Sequence, residues 1–90
     1  MDQGLLRGTV MVVGGGNGGI GRAIAEKALA SGARVAIWDL SAAEPRDGLH
    51  SVVCDLTCET DVQSAFDQTV ALTGRIDSLV NCAGITGPTA

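Results

Sequence analysis

Short apolar runs alternate with amphipathic stretches along this chain, and the alternation predicts strands and helices in turn. Apolar, largely β-branched runs that stop at glycine or at an acidic residue are typical of strands buried on both faces of a parallel sheet. Such runs predict four strands, at Thr9–Val13, Arg34–Trp38, Val52–Cys54 and Ile76–Val80. Between them, small and apolar residues recur at helical spacing and predict two helices, at Gly19–Ser31 and Thr60–Thr73.

The ends of both helices carry recognisable signals. Gly32 and Gly74 stand where a residue with a left-handed backbone commonly follows a helix C-terminus. At the start of the second helix, Thr60 and Gln63 have the spacing of a capping box. The sequence therefore predicts a side-chain cap at Thr60.

The order of the elements predicts the fold class. Strands that alternate with helices of about 12–14 residues pair in parallel through right-handed crossovers. We therefore expect an α/β, Rossmann-like, doubly wound parallel sheet, with four strands in one partial domain. The segment Leu40–Ser51 contains Pro45 and Gly48 and is predicted to be a loop with at most one short helical turn, near Ala42–Glu44.

Composition and charge narrow the class of protein. The 90 residues are 46% hydrophobic, which favours a packed core in one domain or less. A net charge of −4 with scattered arginines argues against a nucleic-acid or anionic membrane surface. The N-terminus lacks a signal-peptide pattern, so we expect a cytoplasmic protein. Cys54, Cys58 and Cys82 have no metal-like spacing and are expected to be reduced, and no metal site is predicted.

A glycine-rich segment joins the first strand to the first helix. Six of the eight residues from Gly14 to Gly21 are glycines, and Gly14-x-Gly16-x-x-Gly19 matches the dinucleotide-binding fingerprint. Glycines let the backbone approach a pyrophosphate closely, and the helix N-terminus directs its free N–H groups at the anion. No Gly-Lys-Ser/Thr follows, which excludes a mononucleotide P-loop. The alternative is a flexible turn.

An acidic residue, Asp39, ends the second strand about 20 residues after Gly19. Its carboxylate is suited to accept hydrogen bonds from both hydroxyls of an adenosine ribose, and its charge would repel the 2′-phosphate of NADP. Neither Gly18 nor Leu40 supplies a cation to offset that repulsion, so NAD is favoured over NADP. Arg46, in the following loop, is a cation that could swing toward this position. The alternative role of Asp39 is to cap a turn at the strand end.

The ends of the third and fourth strands place further polar residues at the same edge of the sheet. Asp55 is suited to accept from an adenine amino group or, equally, to cap the following turn. Asn81 either holds backbone groups beside a cofactor or is an ordinary turn former. Cys82 supplies at most a backbone contact or an oxidation-sensitive thiol. Ligands of such sheets bind outside the carboxyl ends of the strands, which is where these residues lie.

These motifs together resemble the N-terminal half of the short-chain dehydrogenase/reductase family over residues 5–87. The family's Thr-Gly-x-x-x-Gly-Ile-Gly pattern is matched from Gly14 to Gly21, with Gly14 in place of Thr, and its Asn-Asn-Ala-Gly pattern from Asn81 to Gly84, with Cys82 in place of the second Asn. The loss of the threonine hydroxyl leads us to expect a looser turn. By this resemblance the cofactor-binding residues are Gly15, Asn17, Gly18, Gly19, Ile20, Gly21, Asp39, Leu40, Asp55, Leu56, Asn81, Cys82, Ala83 and Gly84.

The resemblance implies an NAD-dependent oxidoreductase that transfers hydride between an alcohol and a ketone. It also implies a small-molecule substrate and a homo-oligomer, a dimer or tetramer. The family's catalytic Ser and Tyr-x-x-x-Lys have no counterpart here, because the sequence has no tyrosine and its single lysine, Lys27, lies on the first helix. We therefore expect residues 1–90 to be a partial NAD-binding domain without catalytic residues. The alternative is a non-catalytic dinucleotide-binding or interaction module.

Overall fold

A computed structural model describes residues 6–15, 18–44 and 46–82 of the chain. In chain order the elements are β1 (Val10–Gly14), α1 (Gly19–Ala30), β2 (Arg34–Asp39), β3 (Leu49–Val53), α2 (Glu59–Thr73) and β4 (Ser78–Asn81). All strand pairs are parallel and the sheet order is β3-β2-β1-β4. The predicted doubly wound α/β sheet is confirmed.

The sheet has an apolar core on each face because the central strands bury successive side chains on opposite sides. Val13 and Ile37 belong to the core cluster that includes residues of α1. Val12 and Trp38 belong to the cluster that includes Ala65 of α2. The two central strands thus hold their carboxyl ends rigidly between two helical layers.

The helix ends agree with the sequence except at one position. Gly32 and Gly74 both have positive φ, 97° and 86°, and Gly74 is the left-handed C-cap of α2. The capping box predicted at Thr60 is wrong, because α2 begins at Glu59 and Cys58 is its N-cap, without a side-chain cap hydrogen bond. Instead, acidic residues in the first turn of α2 interact favourably with the positive end of the helix dipole.

The strand β3 begins at Leu49, three residues before the predicted start, so the loop predicted over Leu40–Ser51 is too long. Leu49 is buried and pairs with Val35, and Gly48 makes the turn before it with a φ of 81°. This pairing stabilises a segment whose own residues carry little strand signal. Residues 41–44 form no helical turn.

The strand β4 is shorter than predicted and starts at Ser78. Asp77, which precedes it, accepts a hydrogen bond from the N–H of Val10 at 2.7 Å and binds the guanidinium of Arg75. Asp77 therefore precedes β4 and stabilises the start of β1 through its hydrogen bond with Val10. Within the described residues β4 pairs only with β1 and forms one edge of the sheet.

Candidate functional site

The carboxyl ends of the strands surround a cleft of about 280 Å³. Six residues predicted to bind the cofactor share its lining, and Cys54 and Thr57 complete it. The six are Gly15, Gly18, Asp39, Leu40, Asp55 and Leu56. Residues from three separate strand ends thus line one cleft in the structure. The sequence alone predicted only that they lie at the same edge of the sheet.

The glycine turn is anchored to the sheet on both sides by backbone hydrogen bonds. The N–H of Gly15 donates to the carbonyl of Trp38 at 2.7 Å, and the N–H of Cys82 donates to the carbonyl of Gly14 at 2.7 Å. Gly15 has a φ of 74°, a conformation that other residues rarely adopt. These bonds hold Gly14 and Gly15 at the carboxyl edge of the sheet.

Two side chains border the position that a Cβ on Gly14 would occupy. A Cβ at this position would lie 3.4 Å from Cδ1 of Leu56 and 3.6 Å from Oδ1 of Asn81. Leu56, which lines the cleft, therefore packs over the last residue of β1. The motif in the sequence carries no signal for this contact, because it joins two segments about 40 residues apart.

The start of α1 lies at the glycine turn. Gly18 is its N-cap, and the N–H of Arg22 donates to the carbonyl of Gly18 at 2.7 Å. A Cβ at Gly19 would meet nothing within 4 Å. Ile20 is exposed and Gly21 is buried on the inner face of α1, so these two lie outside the lining of the cleft. Gly16 and Asn17, which also belong to the predicted motif, lie outside the described residues.

Asp39 is the last residue of β2 and stands beside the glycine turn. Its Oδ1 accepts a hydrogen bond from the N–H of Ser41 at 3.1 Å, and its carbonyl accepts from the N–H of Cys54 at 2.9 Å. The turn-capping role considered for Asp39 is therefore observed at one oxygen. The residue remains at the lining of the cleft, between the glycine turn and the Asp55 turn.

Asp55 caps the turn that follows β3, which is one of the two roles considered for it. Its Oδ1 accepts hydrogen bonds from the hydroxyl of Thr57 at 2.6 Å and from the N–H of Thr57 at 2.9 Å. The hydroxyl contributes most to lowering the pKa of Asp55, followed by the N–H, so the carboxyl stays ionised. Within the part of the chain that the structure describes, Oδ2 has no hydrogen-bond partner. One oxygen thus caps the turn while the other is available at the cleft.

Two lining residues, Cys54 and Thr57, were missed by the sequence analysis. Each is next to a predicted residue in the sequence. Both could have been predicted from the rule that ligands of such sheets bind at the strand ends and the turns that follow them. Cys54 is buried, and this burial, followed by the charges of Asp61 and Asp55, raises the pKa of its thiol. Its sulfur is therefore a packing group at this wall of the cleft.

The end of β4 meets the end of β1. Asn81 pairs with Gly14 in the sheet register, and Cys82 is fully buried in the core cluster on the α1 side. The thiol of Cys82 is thus a packing group, and an oxidation-sensitive role for it does not fit this burial. Ala83 and Gly84 lie outside the described residues.

Arg46 does not lie where the sequence analysis allowed it to swing. Its guanidinium binds Glu26 of α1, and its backbone forms a bridge with Leu49. Leu49 pairs with Val35 near the start of β2, four residues from Asp39, which is about 13 Å along a strand at about 3.3 Å per residue. In the structure Arg46 is therefore paired with Glu26 and not with Asp39.

Across residues 6–15, 18–44 and 46–82, no group of three or more His, Cys, Asp or Glu side chains could hold a metal ion. In the same segments, neither helix has the length and apolar character needed to cross a membrane.

Comparisons with known proteins agree on one family. A family model described as short chain dehydrogenase matches residues 9–90. A (5R,7aS)-5-hydroxy-7a-methyl-1-oxo-2,3,5,6,7,7a-hexahydro-1H-indene-carboxyl-CoA reductase from Mycobacterium tuberculosis is 44% identical over 97% of the chain and 38% of its own length. A 2-dehydro-3-deoxy-L-rhamnonate dehydrogenase (NAD(+)) from Sphingomonas is 35% identical over 91% of the chain and 35% of its own length.

A solved structure is also similar. The 3-ketoacyl-(acyl-carrier-protein) reductase from Brucella melitensis, complexed with NADH, superposes with a TM-score of 0.78 at 30% identity and covers 82% of this chain and 34% of its own. The chain therefore spans about a third of the length of these relatives.

Proposed function

The chain belongs to the short-chain dehydrogenase/reductase family, and from that premise we propose that its cleft binds the adenosine diphosphate half of NAD(H). One observation supports this most directly. The anchored glycine turn and the carboxylate of Asp39 border the same cleft, with the Asp55 turn as its opposite wall. The elements proposed to bind the pyrophosphate, the ribose and the adenine thus border a single cleft.

The pyrophosphate would lie at the start of α1. The N-cap residue Gly18 has no side chain to block access, and an added Cβ at Gly19 would meet only open space. Every residue of α1 is described, and none in its first turn is acidic. The positive end of the helix dipole therefore faces the anion without a competing carboxylate.

The ribose of the adenosine would bind Asp39. Each hydrogen bond from a ribose hydroxyl to the carboxylate contributes about 1.5–3 kcal/mol. A 2′-phosphate about 4 Å away would be repelled by about 4 kcal/mol per unit charge at an effective dielectric near 20, before screening by salt. Arg46 is bound to Glu26 of α1, so in this conformation it does not offset this repulsion. NAD(H) is therefore the preferred cofactor.

The adenine would lie between the Asp55 turn and Leu40. The free Oδ2 of Asp55 is suited to accept from the adenine amino group, and Leu56 and Leu40 supply apolar surface on either side. Leu40 is 70% exposed, so its side chain is accessible to a ligand in the cleft. Asn81 to Gly84 would contact the ribose that carries the nicotinamide.

The complete reaction would be hydride transfer between an alcohol and a ketone of a small molecule. The nicotinamide ring, when bound, supplies the hydride acceptor or donor. The residues described here bind and orient the cofactor, and none of them is assigned a catalytic role. Lys27 lies in the last turn of α1, at the end of the helix away from the glycine turn. We further propose that the protein is cytoplasmic and forms a homo-oligomer. The family relation disfavours a non-catalytic module.

Binding can be tested with Trp38, the only tryptophan in the sequence and the neighbour of Asp39. Titration of the chain with NADH and with NADPH is followed by quenching of Trp38 emission. We expect Asp39→Ala to weaken NADH about 10- to 100-fold and NADPH by much less. The matched control, Asp67→Ala on the exposed side of α2, should leave both affinities unchanged. Equal losses for the two cofactors would refute the ribose assignment.

A further inference from the structure

Thr57 lies beside Asp55 on the wall of the cleft and holds one of its carboxylate oxygens with two hydrogen bonds. The hydroxyl of Thr57 donates to Oδ1 of Asp55 at 2.6 Å, and the N–H of Thr57 donates to the same oxygen at 2.9 Å. Both residues line the cleft. Because two donors converge on Oδ1, the carboxylate cannot turn about its Cβ–Cγ bond without breaking these bonds. The two oxygens are therefore not interchangeable, and Oδ2 is the one left for a ligand.

The backbone of Asp55 is held by groups other than the hydroxyl of Thr57. The N–H of Asp55 donates to Oδ2 of Asp61, in the first turn of α2, at 3.1 Å. The carbonyl of Asp55 accepts a hydrogen bond from the N–H of Cys58 at 3.0 Å. The position of Asp55 is thus fixed through its backbone, and the hydroxyl of Thr57 controls the orientation of the carboxylate.

At neutral pH this carboxylate accepts hydrogen bonds and donates none. The hydroxyl of Thr57 contributes most to lowering the pKa of Asp55 from its ordinary value of 3.8, and the N–H of Thr57 lowers it further. An ionised carboxylate has no proton to donate. A ligand group that meets Oδ2 must therefore be a hydrogen-bond donor, because an acceptor in its place would leave two oxygens facing each other.

Purine bases differ in the group that they would present to this oxygen. Adenine has an amino group at C6, which donates, whereas guanine and hypoxanthine have a carbonyl oxygen there, which accepts. The donor of these 6-oxo bases is the neighbouring N1–H. A carboxylate that turns freely would adjust to either pattern, whereas one that is held at Oδ1 presents Oδ2 in a single direction.

We propose that Thr57 is a positioning residue for base recognition, because its hydroxyl orients the carboxylate of Asp55 so that the cleft selects a 6-amino purine over a 6-oxo purine. This inference rests on the proposed binding of NAD(H), with the adenine beside the Asp55 turn. Thr57 acts through Asp55, so its side chain does not have to touch the base. Loss of the hydroxyl should therefore reduce the discrimination between the two bases as well as the affinity for NADH.

The test uses the Trp38 titration with NADH and with reduced nicotinamide hypoxanthine dinucleotide, in which a carbonyl oxygen replaces the 6-amino group of the adenine. The wild-type chain is expected to bind NADH at least about tenfold more tightly than this analogue. Thr57→Val should weaken NADH binding about three- to tenfold and change binding of the analogue less than about twofold. Thr57→Ser keeps the hydroxyl and should retain the wild-type preference. Thr57 is exposed, so both variants are expected to fold.

Two further variants separate the positioning role from a general effect on the turn. Thr60→Val removes the hydroxyl of a nearby threonine, whose partner is the sulfur of Cys58 at 3.2 Å, and should leave the preference unchanged. Asp55→Ala removes the carboxylate through which Thr57 acts. Adding Thr57→Val to Asp55→Ala should therefore cause no further change in the preference.

Two results would overturn the inference while leaving the proposed function intact. In the first, the wild-type chain binds NADH and the hypoxanthine analogue equally well, which would mean that the group at C6 is not recognised. In the second, Thr57→Val weakens both dinucleotides by the same factor, which would assign the hydroxyl a structural role in the turn. If the wild-type chain binds neither dinucleotide, the proposed function itself fails and the inference falls with it.

Discussion

Two adjacent glycines at the end of β1 are expected to respond to the same substitution with opposite signs. Gly14 is the last residue of β1 and lies outside the set of positive-φ glycines, whereas Gly15 has a φ of 74°. An alanine Cβ at Gly14 would lie 3.4 Å from Cδ1 of Leu56 and 3.6 Å from Oδ1 of Asn81, which are ordinary packing distances. Alanine therefore fits at the first position and is strained at the second.

The magnitudes follow from the two backbone conformations. Gly14→Ala reduces the conformational entropy of the unfolded chain and should stabilise the fold by about 0.4–1 kcal/mol. Gly15→Ala places a Cβ in the left-handed region and should destabilise it by about 1–2 kcal/mol. For a domain of this size, the difference corresponds to about 10–20 °C between the melting temperatures of the two variants.

Urea unfolding followed by Trp38 fluorescence, at one fixed protein concentration, measures both variants against the wild type. Gly15→Ala should also weaken NADH binding, since its Cβ would stand at the lining of the cleft, whereas Gly14→Ala should bind NADH normally. Loss of stability in both variants to the same extent would refute the reasoning, because it would mean that backbone conformation does not distinguish the two positions.

Three further predictions concern the sheet and its supports. Thr69→Val should destabilise the chain by about 1–3 kcal/mol in urea, because it leaves the buried Nε1–H of Trp38 without its 2.9 Å acceptor, while Thr69→Ser should retain most of the stability. The hydrogen bonds from Arg75 hold the pKa of Asp77 below its ordinary value of 3.8, so the stability from this group is present above that pH and lost as the pH falls through the folded pKa. Urea midpoints measured over a series of acidic pH values should therefore fall less steeply for Asp77→Asn than for the wild type. An unchanged pH dependence in this variant would contradict the assignment of the acid-induced loss of stability to Asp77. The 90-residue chain should associate at micromolar concentration through the edge strand β4, where Leu79 is 53% exposed, and Leu79→Lys should reduce the association seen by sedimentation velocity. A wild-type chain that sediments as a monomer at this concentration would contradict this.

Local sequence signals predicted most of the fold because they act over short distances. The apolar run before the glycine turn and the helical stripes after it predict β1, α1 and α2 within one or two residues. The start of β3 was missed because Leu49 becomes a strand residue through its pairing with Val35 of another strand. The helix cap was wrong because Thr60 and Gln63 match a motif that the chain, entering the helix at Glu59, does not use.

The sequence predicted which strand ends form the site, but it did not predict which of its residues contact each other. The rule that ligands bind at the carboxyl edge placed Asp39 and Asp55 together, and the structure brings both to one cleft. The packing of Leu56 over Gly14 and the capture of Arg46 by Glu26 join residues far apart in sequence. Such pairs leave no periodic signal, and only the folded chain defines them.

The most direct test of the adenosine-binding cleft is an amide ¹H–¹⁵N correlation spectrum of the labelled chain recorded during titration with NADH. If NADH binds in this cleft, the amide shifts should change most for Gly15, Gly18, Leu40 and the Asp55–Thr57 turn, with little change along the exposed side of α2. Shifts that concentrate on α2 or on the β4 edge, or a spectrum that NADH leaves unchanged, would contradict it.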